Sequence, residues 1–337
     1  MQLPPLSEIL DSMRVVQLRL KTRFRDVDVR EVVLFEGPSG WGEFAPFKDH
    51  TLEHSANWLA AAIEAAYLPY PLAQRDEVRV NAIVPMLATD AVEQWVLGVW
   101  ESTGATTYKV KCGSPDFRDD VSRLDELIYT LDHQVSPEAK IRIDINGAWS
   151  VDQAVERILE ISDMCGSRLE YVEQPVSSLA DCAVIRERIP VKIAIDEGVR
   201  LLADARLHVS ALQAAGDIAI LKAIPLGGVA RALDIASMLE MPCVVSGSMD
   251  SSVGLTQGIA LAAALPELEY ACGFSTGSLL AEDVVTTTLI PHDGTIAVGR
   301  IAPDEALLAG LASRVDSATK NYWRERVIAC YEVLETA

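Results

Sequence analysis

Along the first eighty residues the apolar positions alternate, then switch to a helical period. Residues 14–20 (RVVQLRL) alternate apolar and polar side chains, which predicts a strand over residues 13–20. Residues 30–35 (REVVLF) predict its antiparallel partner, and the charged connector between them, centred on residues 21–26, reads as a flexible loop. Gly37-Pro38-Ser39-Gly40 is a turn signal, followed by the aromatic stretch 41–47 (WGEFAPF). From Leu52 to Tyr67 the apolar residues, Trp58, Leu59 and Ile63 among them, recur at helical spacing. Strands followed by a helix make residues 1–80 an α+β module.

From about residue 79 the texture changes to short apolar runs alternating with amphipathic helical stretches. The runs are VNAIVPM, TTYKVKC, KIRIDIN, LEYVEQP, VKIAIDE, IAILKAI, PCVVSGS and YACGFSTG, eight in all. Their polar tips Lys111, Asp144, Glu173, Asp196, Lys222 and Ser246 stand 33, 29, 23, 26 and 24 residues apart. That period is one strand, one helix and two loops, and eight such units predict a closed (β/α)8-type TIM barrel over residues 81–299. An open doubly wound sheet uses the same local units, but no GxGxxG follows the first strand, and the count of eight favours the barrel. The stretch VVTTTLIPHDGTIAV predicts a hairpin around His292-Asp293-Gly294. The helical patterns 306–311 and 318–334 then predict a C-terminal segment, about 300–337, that returns to complete the α+β capping domain.

Three consecutive apolar strands each end on an acid: Asp144, Glu173 and Asp196. One such acid alone is more simply a helix N-cap. Three at this spacing, at the ends of buried strands, need a shared counter-charge, and hard oxygen ligands suit Mg2+, with Mn2+ as the alternative. Asn146 shares the parity of Asp144 and is within reach, whereas Glu197 points to the other side of an extended chain. Lys109 and Lys111 stand two apart and share one strand face. Mutual repulsion lowers the pKa of at least one, which suits a general base. Lys222 stands in an apolar run and needs an anion opposite it, either the developing charge of a substrate or, as a Schiff base, a carbonyl. Ser246, Gly247 and Ser248, and Thr276 within the 273–277 stretch, offer hydroxyls and backbone N–H groups to a substrate carboxylate. The five histidines have neither metal nor triad spacing.

Composition narrows the partners. A formal net charge of −20 over 337 residues argues against nucleic acid and anionic membranes, and leaves a small-molecule carboxylate to be drawn in by local cations. Six scattered cysteines without a CxxC pair predict reduced thiols, and no run approaches the roughly 20 apolar residues of a membrane span. The opening MQLPPLSEIL has neither a basic region nor an apolar core, so a cytoplasmic location is expected. Oligomeric state leaves no mark on the sequence.

A KxK pair, then D, E and D on successive strands, then a lysine resembles the enolase superfamily, in its muconate-lactonising subgroup. The resemblance covers essentially the whole chain, and extends to RFRDVDVREVVLFEGPSGWGEFAPF, LEYVEQP, LKAIPLGGV, VVSGSMDSSVGL and ACGFSTG. It implies that Asp144, Glu173 and Asp196 bind Mg2+, that Lys111 takes a proton α to a carboxylate with Lys109 assisting, and that Lys222 stabilises the enediolate from the other face. The reaction implied is loss of water from a succinyl-bearing hydroxycyclohexadiene carboxylate on the way to menaquinone. The 21–26 and 41–47 stretches are expected to close over the site from the cap. Three rivals stand beside this reading: N-acylamino acid racemase or cycloisomerase activity on the same scaffold, a Schiff-base aldolase using Lys222, and a non-catalytic metal-stabilised barrel.

Overall fold

The structure, a computed structural model, describes residues 2–24, 27–202 and 204–336. Two antiparallel strands, Arg14–Phe24 and Val27–Gly37, and a third, Gly40–Phe44, form a sheet in sequence order. The hairpin is longer than the apolar alternation predicts. Residues 21–24 belong to the first strand rather than to a loop, and residues 27–29 to the second; Arg25 and Asp26 lie outside the described residues. The ladder pairs Arg14 with Leu34 through Arg19 with Val29, then slips before Phe24 meets Val27. Beyond the apolar residues that fix the register, the two strands continue to the pairing of Phe24 with Val27.

Helix Leu52–Tyr67 starts where Thr51 Oγ1 accepts from His54 N and lays an alanine-rich face on the third strand. The approach is close enough that a Cβ on Gly42 would meet the Ala62 carbonyl oxygen at 2.0 Å, so only glycine fits there. The last helix, Ser317–Thr336, packs on the same helix, and Trp323, Val327, Cys330 and Tyr331 share a core with Phe35, Phe44, Trp58 and Leu59. The opposite face of the sheet, Val16, Leu18, Val32 and Leu34, packs against Val253, Leu280, Val284 and Leu308, which seats the cap on the rest of the chain.

Seven parallel strands follow in sequence order: Ala82–Val84, Thr107–Lys111, Lys140–Asp144, Leu169–Glu173, Ile193–Ile195, Ile218–Leu221 and Cys243–Val245. The eighth position closes the ring through parallel bridges, Val80 to Cys272 on one side and Ser246 to Gly273 on the other. Cys272 N donates to Arg79 O at 2.7 Å and Gly273 N to Val245 O at 2.8 Å. The barrel read from the eight apolar runs is therefore present, with one difference. Among the described residues the helix in the segment between the eighth strand and Thr295–Ala297 is a 3-10 turn, Ser275–Leu279, with no α-helix there. The segment after it is held on helix Ser252–Ala264 instead, where Asp283 accepts from Ser252 N and Oγ and Ser252 Oγ accepts from Leu289 N. The expected hairpin is reduced to a bridge between His292 and Thr295, and the strand Thr295–Ala297 pairs with Glu77–Arg79. No helix of the described residues is long and apolar enough to cross a membrane.

Strand parity sorts the barrel side chains. Val110, Ile141, Ile143, Val172, Ile193, Ile195, Leu221 and Val245 face outward into the core beneath the helices. The alternate positions fill the interior in layers. The floor holds Arg142, Tyr171 and Tyr270 with Ala194, Ile218, Ile220 and Val244. The next layer, toward the strands' C-terminal ends, is almost entirely charged.

Candidate active site at the barrel mouth

The parallel register sets Lys111 beside Asp144 and Asp144 beside Glu173 on three neighbouring strands. Asp196 and Lys222 stand one residue past the ends of the fifth and sixth strands. All three acids are wholly buried. Lys109 Nζ lies 2.6 Å from Glu173 Oε1 and 3.0 Å from Asp144 Oδ2. Lys111 Nζ is 2.5 Å from Asp144 Oδ2, and Lys222 Nζ is 2.7 Å from Asp196 Oδ2. Asn146, in the left-handed region at φ 51°, accepts from Lys111 at 3.0 Å and donates through Nδ2 to Glu197 at 3.2 Å.

The electrostatics follow from burial. Glu173 is pushed up to about 7, by desolvation first and then by Asp144, against the opposing pull of Lys109. Lys109 would be lowered by its burial, but Asp144 and Glu173 outweigh that and hold it above the ordinary lysine range. The lysine repulsion expected from the KxK spacing is thus overridden at Lys109 by the acids on the neighbouring strands.

One pocket opens above this layer. Lys109, Lys111, Lys222, Ser246, Gly247, Ser248 and Thr276 line it, so every candidate named from the sequence either faces this pocket or bonds a residue that does. Thr276 Oγ1 is buried without a hydrogen-bond partner among the described residues. A side chain on Gly247 would press on Asp250 Oδ2 at 3.0 Å and Thr276 Oγ1 at 3.2 Å, so the glycine keeps that wall open. From the cap, Phe47 and Trp58 reach the pocket, whereas Trp41, in the same aromatic stretch, packs into the seam beside Val16 and Leu34.

Several residues at the site were not legible beforehand. Gln174, fully buried, accepts from Asp196 N at 3.1 Å and Gly198 N at 3.0 Å through Oε1 and so fixes the loop that carries Asp196. Arg200 lines the pocket, with Nε 3.2 Å from Asp196 Oδ1 and Nη2 2.7 Å from Glu197 Oε1. Glu43, on the third cap strand, accepts from Ser251 N, Ser251 Oγ and Gly254 N at the start of helix Ser252–Ala264. Desolvation and the neighbouring Asp250 push Glu43 up to about 8. Arg30 stacks on Phe47 at 4.2 Å and donates to Met249 O at 3.3 Å, which ties the cap to the pocket segment 246–250.

Residues 91–316 match the family model described as enolase C-terminal domain-like, and residues 15–66 the one described as enolase N-terminal domain-like. The chain belongs to the enolase-like family. Among its relatives, the o-succinylbenzoate synthase of Mycolicibacterium smegmatis is 43% identical over 98% of this chain and 98% of its own length. That of Mycobacterium tuberculosis is 42% identical over 98% and 97%. In fold the chain is similar to the L-Ala-D/L-Glu epimerase of Bacillus subtilis, with a TM-score of 0.73 at 22% identity over 86% of this chain and 96% of that one. The muconate lactonizing enzyme of Pseudomonas putida gives 0.70 at 16% identity over 89% and 98%.

Among the described residues no three His, Cys, Asp or Glu side chains are grouped to hold a metal ion, and each of the three acids is paired with a lysine ammonium. The donor set itself fits a hard divalent cation. It consists of carboxylate oxygens alone, buried on three neighbouring strand ends, beside a pocket that leaves room for waters or substrate oxygens.

Proposed function

We propose that this protein is an o-succinylbenzoate synthase, which removes water from 2-succinyl-6-hydroxy-2,4-cyclohexadiene-1-carboxylate to give o-succinylbenzoate. The observation that carries this reading is the placement of Lys111 and Lys222. They stand at the C-terminal ends of the second and sixth strands, opposed across an eight-stranded barrel, and both line one pocket above three buried acids. The names of the relatives at 42–43% identity over nearly the full chain support the substrate.

The chemistry asked of these residues is concrete. The proton on C1, beside the ring carboxylate, is weakly acidic because its loss loads a second negative charge onto that carboxylate. Asp144, Glu173 and Asp196 would hold Mg2+, which when bound stabilises charge on carboxylate oxygens. Lys111, as the free amine, takes the C1 proton, and the electron pair moves into the carboxylate as an enediolate. Lys222, as ammonium on the facing wall, stabilises that anion where it forms. Lys111 then returns its proton to the C6 hydroxyl on the same face. The C6–O bond breaks, water departs, and C1 and C6 become doubly bonded in an aromatic ring. Lys109, paired with Glu173 and Asp144, keeps the layer beneath in register. One lysine serves as base and then acid, so histidine has no part in the step.

The test is the ultraviolet absorbance of the cyclohexadiene. Rapid loss with Mg2+ that EDTA stops is expected. A folded, Mg2+-loaded protein that leaves the diene intact would sink this reading.

A further inference from the structure

The substrate of the proposed reaction has two carboxylates, and the three lysines answer for one of them. Lys109, Lys111 and Lys222 are each held against the acids of the reacting end. The second carboxylate, at the tip of the succinyl arm, must lie elsewhere in the pocket, in a protein whose overall charge of −20 repels it. One further cation lines the pocket, Arg200. It sits on the short helix Glu197–Arg200 that follows the fifth strand, with its side chain 13% exposed. Glu197 accepts from Nη2 at 2.7 Å, and Asp196 Oδ1 lies 3.2 Å from Nε as an ion-pair partner, which keeps the guanidinium at this wall. Among the described residues Nη1 makes no hydrogen bond, so one edge of this cation is unused.

Its position also says which end of the substrate it would meet. Besides the pocket, Arg200 lines a groove between cap and barrel, together with Val27, Lys48, His50 and Leu201. Arg200 and Phe47 form the wall common to both. A ring carboxylate seated over the three acids through Mg2+ would leave this wall to the arm. We propose that Arg200 is a specificity-determining residue that binds the distal carboxylate of the succinyl arm, with Phe47 packing on the methylenes. This inference rests on the synthase reading. A planar guanidinium offering two N–H groups suits a carboxylate better than the neutral hydroxyls of Ser246, Ser248 or Thr276, and a hydrogen bond between charged partners is about twice as strong as a neutral one.

The test is calorimetric titration of the Mg2+-loaded protein with o-succinylbenzoate and with its analogue esterified at the arm carboxylate. The wild type should favour the acid by about 10- to 100-fold, as a desolvated charge-assisted bond implies. Arg200→Met should reduce that preference to within about threefold, and Arg200→Lys should recover part of it. Mg2+ affinity, titrated separately, should change little in either variant. If Arg200→Met weakens both ligands equally, or loses Mg2+, the arginine acts only through Asp196 and the proposal is wrong. An undiminished preference for the acid in Arg200→Met also overturns it. A wild type that binds neither ligand removes the synthase reading and this inference with it. Binding of both ligands with no preference removes the arginine's role alone.

Discussion

Two layers of buried charge lie inside one barrel, and they are built differently. On the floor, Arg142 donates to Glu170 at 2.6 Å, to Ala271 O at 2.6 Å and to Asn81 at 3.1 Å, with the rings of Tyr171 and Tyr270 against its face. One cation there is enclosed by neutral acceptors, aromatic faces and a single partly exposed acid. At the mouth, three lysines face three acids and an open pocket. Burying an ion costs several kcal/mol unless geometry and hydrogen bonds offset it. The floor spends that cost on closing the barrel. The mouth keeps its charges next to a pocket, where they bear on a bound molecule. Height along the strand, not parity, separates the two roles, since Arg142 and Asp144 are two residues apart on one strand and face the same interior.

Substitutions should split along the same line. Of the two layers, the larger effect on turnover is expected at the mouth, where Lys222→Ala removes the cation on the far wall. Turnover should fall about 10²–10³-fold, with the urea midpoint little changed, as a steady-state assay and an unfolding curve would show. Arg142→Met should do the reverse: stability falls by about 3 kcal/mol while Mg2+ affinity stays near that of the wild type, read from urea unfolding and from titration. A loss of Mg2+ binding larger than the loss of stability would erase the contrast between floor and mouth.

A smaller effect is expected at the seam. Glu43 is held near pH 8 by burial beside Asp250, against an ordinary carboxyl near 4.5. The folded state therefore binds more protons than the unfolded state between those values. The stability from this group is full below about pH 4.5 and is lost as pH rises through about 8. Glu43→Gln should flatten that decline in a series of thermal midpoints from pH 5 to 8. A variant whose midpoint falls with pH as steeply as the wild type would assign the proton elsewhere.

How much of this was legible follows from what strand periodicity can carry. Asp144, Glu173, Asp196 and Lys222 could be read because each stands at or one residue past the end of an apolar run, where the chain itself signals a change of environment. Asn146 and Lys109 followed by parity. Arg200 could not be read in that way. It lies four residues beyond Asp196 on a helical turn, where neither a strand tip nor an alternation marks it. Glu43 was hidden in an aromatic stretch, because its partners Ser251 and Gly254 are more than two hundred residues away. The hairpin was read short because its far end, where Phe24 pairs with Val27 after a register slip, lies outside the apolar alternation. That the described residues have no α-helix directly after the eighth strand is likewise a matter of tertiary contact, with Asp283 and Leu289 bonding Ser252 instead.

The central claim is that Lys111 moves the proton, and the most direct measurement is turnover of the hydroxycyclohexadiene carboxylate by Lys111→Ala with added methylamine. The expected result is a loss of about 10³–10⁴-fold, with Mg2+ affinity retained and activity partly restored as the amine concentration rises. Activity within tenfold of the wild type, in folded and Mg2+-loaded protein, would contradict the account.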